Sequence, residues 1–286
     1  MSYIIMTDTN SDITYPFVDR YDIKIVYMPY FINGQELFSD LARSTRTQEF
    51  YQTMRDGVVP TTSLLTQTQY EEYFEPYLQA GQDILFICFS SNLSASIAHA
   101  AAAVGIMNAK YPKNRIILCD TLTISFSEAM IVVEAAKLRE AGATIDEAAK
   151  FVMDNRMNYQ SWVAVEDLVY LKRGGRISAA SATFGTMLDI KPIIHISNEG
   201  KMVPVMKVKG QKKALRTLLD KFEENCTKKE QVAILDADCK ESADYLQDKI
   251  LEKYPDIEIT RIPVGPVICT HAGPGTVALV FPGLPR

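Results

Sequence analysis

Short apolar runs that alternate with helical segments constrain the fold of this chain more than any other feature. In the first half, four such runs predict β-strands: residues 3–6, 23–28, 84–89 and 116–119. Their continuous apolar character is typical of a parallel sheet that is covered on both faces. Helices fit between the runs, including an Ala-rich segment at residues 94–107. The alternation predicts an α/β fold with a mainly parallel sheet in this half.

Helix starts are indicated by capping-box spacing, in which Ser or Thr is followed three residues later by Glu. This spacing occurs three times between or after the predicted strands: Thr68 with Glu71, Ser125 with Glu128, and Thr144 with Glu147. We therefore expect helices to begin directly after residues 68, 125 and 144.

The second half of the chain, from about residue 157, has a different pattern. A strand is predicted at 161–165, and the turn Asn198-Glu199-Gly200 indicates a hairpin between strands at 190–196 and 201–208. The remainder predicts helices and strands in turn: helix 211–225, strand 232–235, helix 241–254, strand 257–262, and strands 266–270 and 276–281 around His271. At roughly 150 residues per domain, we predict an N-terminal α/β domain at 1–158 and a C-terminal α/β domain at 159–286.

Composition and missing motifs exclude several classes of function. The net charge of −5 is opposite to the basic surface that nucleic acids favour, so we expect no nucleic-acid partner. No apolar run approaches the ~20 residues that cross a bilayer, and the first residues do not resemble a signal peptide. The five cysteines are odd in number and lack CxxC spacing, which indicates a reducing cytoplasm and no zinc site. The sequence also lacks GxGxxG, the P-loop, HExxH and GxSxG, so we expect no cofactor and no metal.

Polar clusters stand at the ends of apolar runs, where open α/β sheets bind ligands. Four follow predicted strands and a fifth lies in a proline-led loop before a helix: residues 7–12, 90–94, 120–121, 270–275 and 61–63. Each cluster alone is also what a helix cap requires, and Ser94 has the place of an N-cap for the Ala-rich helix. The pattern along the chain does not decide whether the clusters converge.

Among the three histidines, His271 is the strongest candidate for a functional role. Gly273 and Gly275 follow it and permit close approach of a ligand to the backbone. His99 lies in the Ala-rich helix and His195 ends an apolar run, and both positions are typical of structural histidines.

A basic turn contains Lys172, Arg173 and Arg176 around the pair Gly174-Gly175. It is either a solvated turn or a cationic loop that receives a phosphate-bearing partner. A second basic group, at residues 207–213, follows the hairpin and is typical of a solvated surface.

Taken in order, these clusters resemble the DegV family, the fatty-acid-binding subunits of bacterial fatty-acid kinase systems, along essentially the whole chain. The matching segments are TDTNSD (7–12), TTS (61–63), SSNLS (90–94), DT (120–121), EDLVYLKRGGRIS (166–178), KPII (from 191) and THAGPG (270–275). The GGRIS and THAGPG segments are the most specific. The resemblance implies two α/β domains with a lipid tunnel at the interface between them.

The resemblance also implies roles for individual residues. Thr62, Ser63 and Ser94 would hydrogen-bond the carboxylate of a long-chain fatty acid, and His271 would reach it from the second domain. A separate ATP-dependent fatty-acid kinase would then phosphorylate that carboxylate to an acyl phosphate. This chain would be a lipid-binding carrier rather than an enzyme, and a carrier of lipid is compatible with transient contact with a membrane surface.

In the same scheme, Arg173 and Arg176 match the basic loop of the family. They would contact either the phosphate or the partner kinase, and the resemblance does not assign the two roles between them.

The chain departs from the family pattern at several positions. Leu64-Leu65 replaces a common Gln-Pro, Asn92 and Ala95 replace glycines, and Lys209 replaces a common Arg. The segment 126–129 stands where the family has a glycine-rich stretch. These changes leave the proposed carboxylate ligands in place and bear on acyl-chain preference and kinase coupling.

Two alternative functions stay open at this point. Ser94 and His271 could be the nucleophile and base of an independent acyl-transfer or esterase enzyme. Alternatively, the basic turn could bind a protein partner without any lipid.

Overall fold

The apolar runs of the first half form a parallel sheet, as predicted. The structure is a computed structural model that describes residues 3–166, 168–177 and 189–286, and its first strands are β1 (Tyr3–Asp8), β2 (Ile23–Val26), β3 (Pro29–Ile32), β4 (Gln35–Phe38), β5 (Thr61–Thr62), β6 (Asp83–Cys88) and β7 (Ile116–Asp120). Strands β2, β1, β6 and β7 lie side by side in that order, and each neighbouring pair is parallel. Strands β4, β3 and β5 form a small antiparallel sheet.

Helices connect these strands and cover the parallel sheet. They are α1 (Tyr15–Arg20), α2 (Arg46–Arg55), α3 (Gln67–Gln79), α4 (Ser96–Lys110), α5 (Phe126–Glu140) and α6 (Ile145–Asn155). The Ala-rich segment predicted as a helix is α4, and it begins two residues later than expected.

The predicted capping boxes are only partly correct. Thr144 and Glu147 form the expected box at the start of α6. At α3 the box is made by Thr66 and Gln69, two residues before the predicted Thr68. Gln at the third helical position accepts from the cap as Glu does, so the sequence contains two overlapping capping-box patterns. The helix begins at the earlier one.

The third predicted box, at α5, does not form. Ser125 has a φ of +57°, and its hydroxyl donates to the carboxylate of Asp12 rather than capping the helix. Glu128 is fully buried and accepts a hydrogen bond of 2.9 Å from the Thr7 hydroxyl. Tertiary partners therefore override the local capping pattern at this helix.

The second half of the chain forms one mixed sheet of six strands. They are β8 (Tyr159–Ala164), β9 (Ile190–Ile196), β10 (Met202–Lys209), β11 (Gln231–Asp236), β12 (Glu258–Pro263) and β13 (Val277–Pro282), in the order β10-β9-β8-β13-β11-β12. Of their pairings, β11 with β12 is parallel and the others are antiparallel. The helices are α7 (Val169–Arg173), α8 (Gln211–Asn225), α9 (Lys240–Lys253) and α10 (Pro266–Ala272).

The hairpin and the helices predicted at 211–225 and 241–254 agree with the structure. The short helix α7 was not predicted, and one predicted strand is wrong. The hairpin joins β9 and β10, and α8 has the predicted bounds. Residues 266–270, however, belong to helix α10, so His271 lies at the end of a helix and not between two strands. The run is buried all round and has no periodicity to separate helix from strand. Pro266 stands at the first helical position, where its fixed φ favours a helix.

Helix α5 lies between the two large sheets. Most of its residues are buried, and it contacts β1 and β6 of the parallel sheet as well as β8 and β13 of the mixed sheet. One hydrophobic cluster therefore extends from the parallel sheet to one face of the mixed sheet, and a second lies between the other face and α8 and α9. The predicted boundary between residues 158 and 159 stays a prediction. Within the described ranges, no helix is both long and apolar enough to span a bilayer.

The observed cap at Thr66 and the predicted cap at Thr68 make a matched test of where α3 begins. We expect Thr66→Ala to lower the free energy of unfolding by about 1 kcal/mol, because it removes an N-cap hydrogen bond. Thr68→Ala, in the exposed first turn, is expected to change it by less than about 0.5 kcal/mol. Urea denaturation of both variants measures the difference. The reverse order would mean that α3 begins at Thr68.

Candidate functional site

A cavity of about 580 Å³ opens where the parallel sheet meets the second half of the chain. It lies at the carboxyl ends of β1, β6 and β7, which is where open α/β sheets bind ligands. The opposite wall comes from α7, β10 and α10. Most of the lining is apolar: Met28, Leu64, Phe89, Leu93, Ala95, Ile124, Leu171, Met202, Val267, Ile268 and Ala272. Its volume and apolar character are those of a small-molecule site.

The hydroxyl and imidazole groups predicted to act together do meet in this cavity. Thr62, Ser63, Ser94 and His271 all line it. The Thr62 Oγ1 lies 2.9 Å from His271 Nε2, although the two residues are 209 positions apart in the sequence. The Ser94 hydroxyl also accepts a hydrogen bond of 3.2 Å from the Ser96 backbone, so it supports the start of α4 as well.

His271 is a neutral ring at the end of helix α10. Burial and the nearby Arg176 cation lower the pKa of His271 to about 4. Its Nδ1 is buried and has no hydrogen-bond partner within the described part of the chain. At neutral pH the imidazole therefore offers one N–H donor and one unprotonated nitrogen.

The structure separates the two arginines that the sequence grouped together. Arg176 is half-buried and lines the cavity. Its Nε donates to the Leu93 carbonyl at 3.2 Å and its Nη1 to the Gly174 carbonyl at 2.5 Å. Burial lowers the pKa of Arg176, but an arginine stays charged at neutral pH. Arg173 is exposed and stacks against the ring of Tyr170, with its Cζ 5.5 Å from the centroid, outside the cavity lining.

Helix α10 is anchored at its start by a buried carboxylate from the first half of the chain. Asp12 Oδ1 accepts a hydrogen bond of 3.0 Å from the Gly265 backbone, and its Oδ2 accepts one from the Ser125 hydroxyl. The Tyr51 hydroxyl adds a 2.5 Å hydrogen bond to the Val264 carbonyl. These contacts fix the helix that carries His271. The sequence marked the cluster at 7–12 but gave no sign that Asp12 acts on α10.

The other members of the polar clusters mostly support the backbone around the cavity. Asn10 lines it, whereas Asp8 accepts a hydrogen bond of 2.8 Å from the Asn10 backbone. Asp120 accepts from the Leu122 backbone at 3.0 Å, and the Thr121 hydroxyl donates to the Cys88 carbonyl at 2.8 Å. No group of side chains suited to holding a metal ion occurs among residues 3–166, 168–177 and 189–286.

The two other histidines have structural surroundings. The Nδ1 of His195 lies 3.1 Å from the Ser161 carbonyl, and its ring stacks on Trp162 with centroids 4.1 Å apart. His99 is half-buried in α4, and neither histidine lines the cavity.

Burial of Asp12 predicts a dependence of stability on pH. Burial raises the pKa of Asp12 from 3.8 to about 7, with a smaller contribution from Asp8. Because the folded state holds this proton more tightly, Asp12 stabilises the fold at low pH, and that contribution is lost as the pH rises from about 4 to 7. Asp12→Asn retains an acceptor for Gly265 and does not titrate. We therefore expect wild type to lose about 3 kcal/mol more than Asp12→Asn between pH 4 and pH 8.

Chemical denaturation of both proteins at several pH values measures this difference. Stability curves that run parallel from pH 4 to pH 8 would show that Asp12 titrates alike in the folded and unfolded chains.

Comparisons with known proteins agree with this architecture. The DegV family profile matches residues 2–282. A DegV domain-containing protein from Clostridium perfringens is 32% identical over 283 residues, which cover 98% of this chain and 97% of that protein. A DegV lipid-binding protein from Thermotoga maritima has a TM-score of 0.86 at 26% identity, with 100% of each chain covered. A fatty-acid-binding DegV-family protein from Thermus thermophilus has a TM-score of 0.87 at 25% identity, covering 99% of this chain and 100% of that chain. This chain therefore belongs to the DegV family.

Proposed function

We propose that the cavity binds a long-chain fatty acid, with its carboxylate against Thr62, Ser63, Ser94 and His271. The observation that carries this proposal is an apolar cavity of about 580 Å³ whose polar groups include the Thr62–His271 pair. Relatives of this chain support the choice of ligand, because the Thermotoga maritima protein is a lipid-binding protein and the Thermus thermophilus protein binds fatty acid.

The polar groups suit a carboxylate. An ionised carboxylate has about four lone-pair sites, so several hydroxyls and an imidazole N–H can each donate to it. Thr62 and His271 share one hydrogen bond in the structure, and the Thr62 hydroxyl and the His271 N–H can both donate to the ligand instead. The half-buried Arg176 supplies positive charge at the same cavity, which stabilises an anion there.

The acyl chain would supply most of the affinity. Each buried CH₂ contributes about 0.8 kcal/mol. Ordering a flexible chain and immobilising the ligand offset part of this gain. The two domains predicted at 1–158 and 159–286 would then each contribute one wall to the lipid tunnel.

We further propose that a separate ATP-dependent kinase phosphorylates the bound carboxylate and that the chain acts as its substrate carrier in the cytoplasm. The sequence contains none of the usual nucleotide-binding motifs, so ATP would come with the partner. Arg173 is exposed outside the cavity lining, which suits contact with a partner. Arg176 lines the cavity, which suits contact with the carboxylate or the phosphate.

The geometry does not favour the esterase alternative. His271 Nε2 pairs with Thr62, and the Ser94 hydroxyl accepts from the Ser96 backbone. A nucleophile and its base should instead lie within hydrogen-bond reach of each other.

Lipid occupancy tests the proposed ligand. We expect native mass spectrometry of protein purified without added lipid to detect a bound long-chain fatty acid. Thr62→Ala and His271→Ala should each weaken binding at least about tenfold, because each removes a hydrogen bond to a charged group. Thr61→Ala is the matched control, since Thr61 is exposed on the same strand and lies outside the cavity lining. A protein that is empty and fails to bind supplied fatty acids would overturn the proposal.

A second prediction separates binding of the fatty acid from its phosphorylation by the partner kinase. With the fatty-acid kinase of the source bacterium and ATP, we expect Arg173→Ala to bind fatty acid normally and to lower acyl-phosphate formation at least about tenfold. Lys213→Ala, an exposed cation on α8, is the control. Equal rates for wild type and Arg173→Ala would exclude Arg173 from the partner contact.

A further inference from the structure

The imidazole of His271 packs directly against the backbone of Gly174. A methyl group on Gly174 would overlap His271 Nδ1 and would lie 3.0 Å from Cε1 and 3.2 Å from Cγ. The place where a side chain would begin is therefore already occupied by the ring. This contact joins the basic turn after α7 to the end of α10, two segments that the sequence marked separately.

Gly174 and Gly175 are adjacent, but the structure needs glycine at the two positions for different reasons. Gly175 has a φ of +70°, which favours glycine, and a methyl group there would meet nothing within 4 Å. Gly174 has a φ of −71°, which any residue adopts easily. Among the described residues, the three atoms nearest to an added methyl group at position 174 all belong to the ring of His271.

The turn at Gly174 is held on both sides, so it cannot easily yield to a larger residue. Its N–H donates to the Tyr170 carbonyl at 2.9 Å, and its carbonyl accepts from Arg176 at 2.5 Å. Tyr170 in turn packs against Gly273, where a methyl group would overlap the ring. A side chain on Gly174 would therefore displace His271 rather than the turn.

The same contact indicates which nitrogen of His271 carries the proton. Nδ1 is buried against Gly174 and has no hydrogen-bond partner in the described ranges, whereas Nε2 lies 2.9 Å from Thr62 Oγ1. A proton on Nδ1 would be a buried donor without an acceptor, which costs free energy. A proton on Nε2 has the Thr62 oxygen as its acceptor.

We propose that Gly174 is a positioning residue that closes off Nδ1 and holds His271 as a ring that donates from Nε2. Nε2–H donates to Thr62 in the free protein and to the ligand's carboxylate in the complex. This inference rests on the proposed function for its ligand, and its structural part concerns the free protein alone. Gly174 packs against the ring of His271 and does not line the cavity.

A double-mutant cycle tests whether Gly174 acts through His271. We expect Gly174→Ala to weaken binding of palmitic acid at least about tenfold, because the displaced ring loses a hydrogen bond to a charged group. Binding of the uncharged hexadecanol should change by less than about twofold. In the His271→Ala background the clash is gone, so Gly174→Ala should add less than about twofold for either ligand. Gly105→Ala is the control, because Gly105 lies in α4 with nothing within 4 Å of the added methyl group.

Equal loss of both ligands, or an undiminished effect in the His271→Ala background, would assign Gly174 a general structural role and overturn the proposal. Unchanged binding of palmitic acid in Gly174→Ala would overturn it as well.

NMR of the imidazole nitrogens separates failure of this inference from failure of the proposed function. In ligand-free protein, with His271→Ala to assign the signals, we expect Nε2 to carry the proton and Nδ1 to be bare. Gly174→Ala should shift both signals. A proton on Nδ1 would overturn the inference even if the protein binds fatty acid. The expected protonation with no fatty-acid binding would support the positioning role and remove the proposed ligand.

Discussion

The cavity depends on a buried carboxylate that joins the two halves of the chain. Asp12 follows the first parallel strand and accepts hydrogen bonds from Gly265 at the start of α10 and from Ser125 at the start of α5. Without these acceptors, a helix start would have an unpaired backbone donor at the interface. Burial of this acid is unfavourable when it is ionised, and the raised pKa of Asp12 reports that cost. The hydrogen bonds from Gly265 and Ser125 offset part of this cost, and they fix the position of the helix that carries His271.

The chemistry of the cavity follows from how little charge it contains. Hydroxyl groups and a neutral imidazole form the polar end, and Arg176 is the cation that lines the cavity within the described ranges. Such groups can satisfy a ligand's carboxylate by hydrogen bonding and leave the rest of the lining apolar. The approach of Gly174 to His271 adds a steric constraint to this arrangement. In this proposal, orientation of a single ring decides how well the headgroup is bound.

Much of the fold was predictable because its signals are local. Apolar runs located the parallel strands, and the turn at residues 198–200 located a hairpin. Local signals failed where distant residues decide the outcome. The pairing of Ser125 with Asp12, far apart in the sequence, replaces a predicted capping box. The run at 266–270 is a different case, because burial on all sides leaves no periodicity to separate a helix from a strand, and the proline at its start was the local signal for a helix.

The sequence by itself determined the α/β class, the family resemblance and the candidate residues Thr62, Ser63, Ser94 and His271. These conclusions rest on residue order and on the chemistry of each side chain. Only the tertiary structure brought Thr62 within 2.9 Å of His271, separated Arg173 from Arg176, and set Gly174 against the imidazole. The physical reason is that hydrogen bonding and steric exclusion act over a few ångströms, whereas these residues lie up to 209 positions apart along the chain.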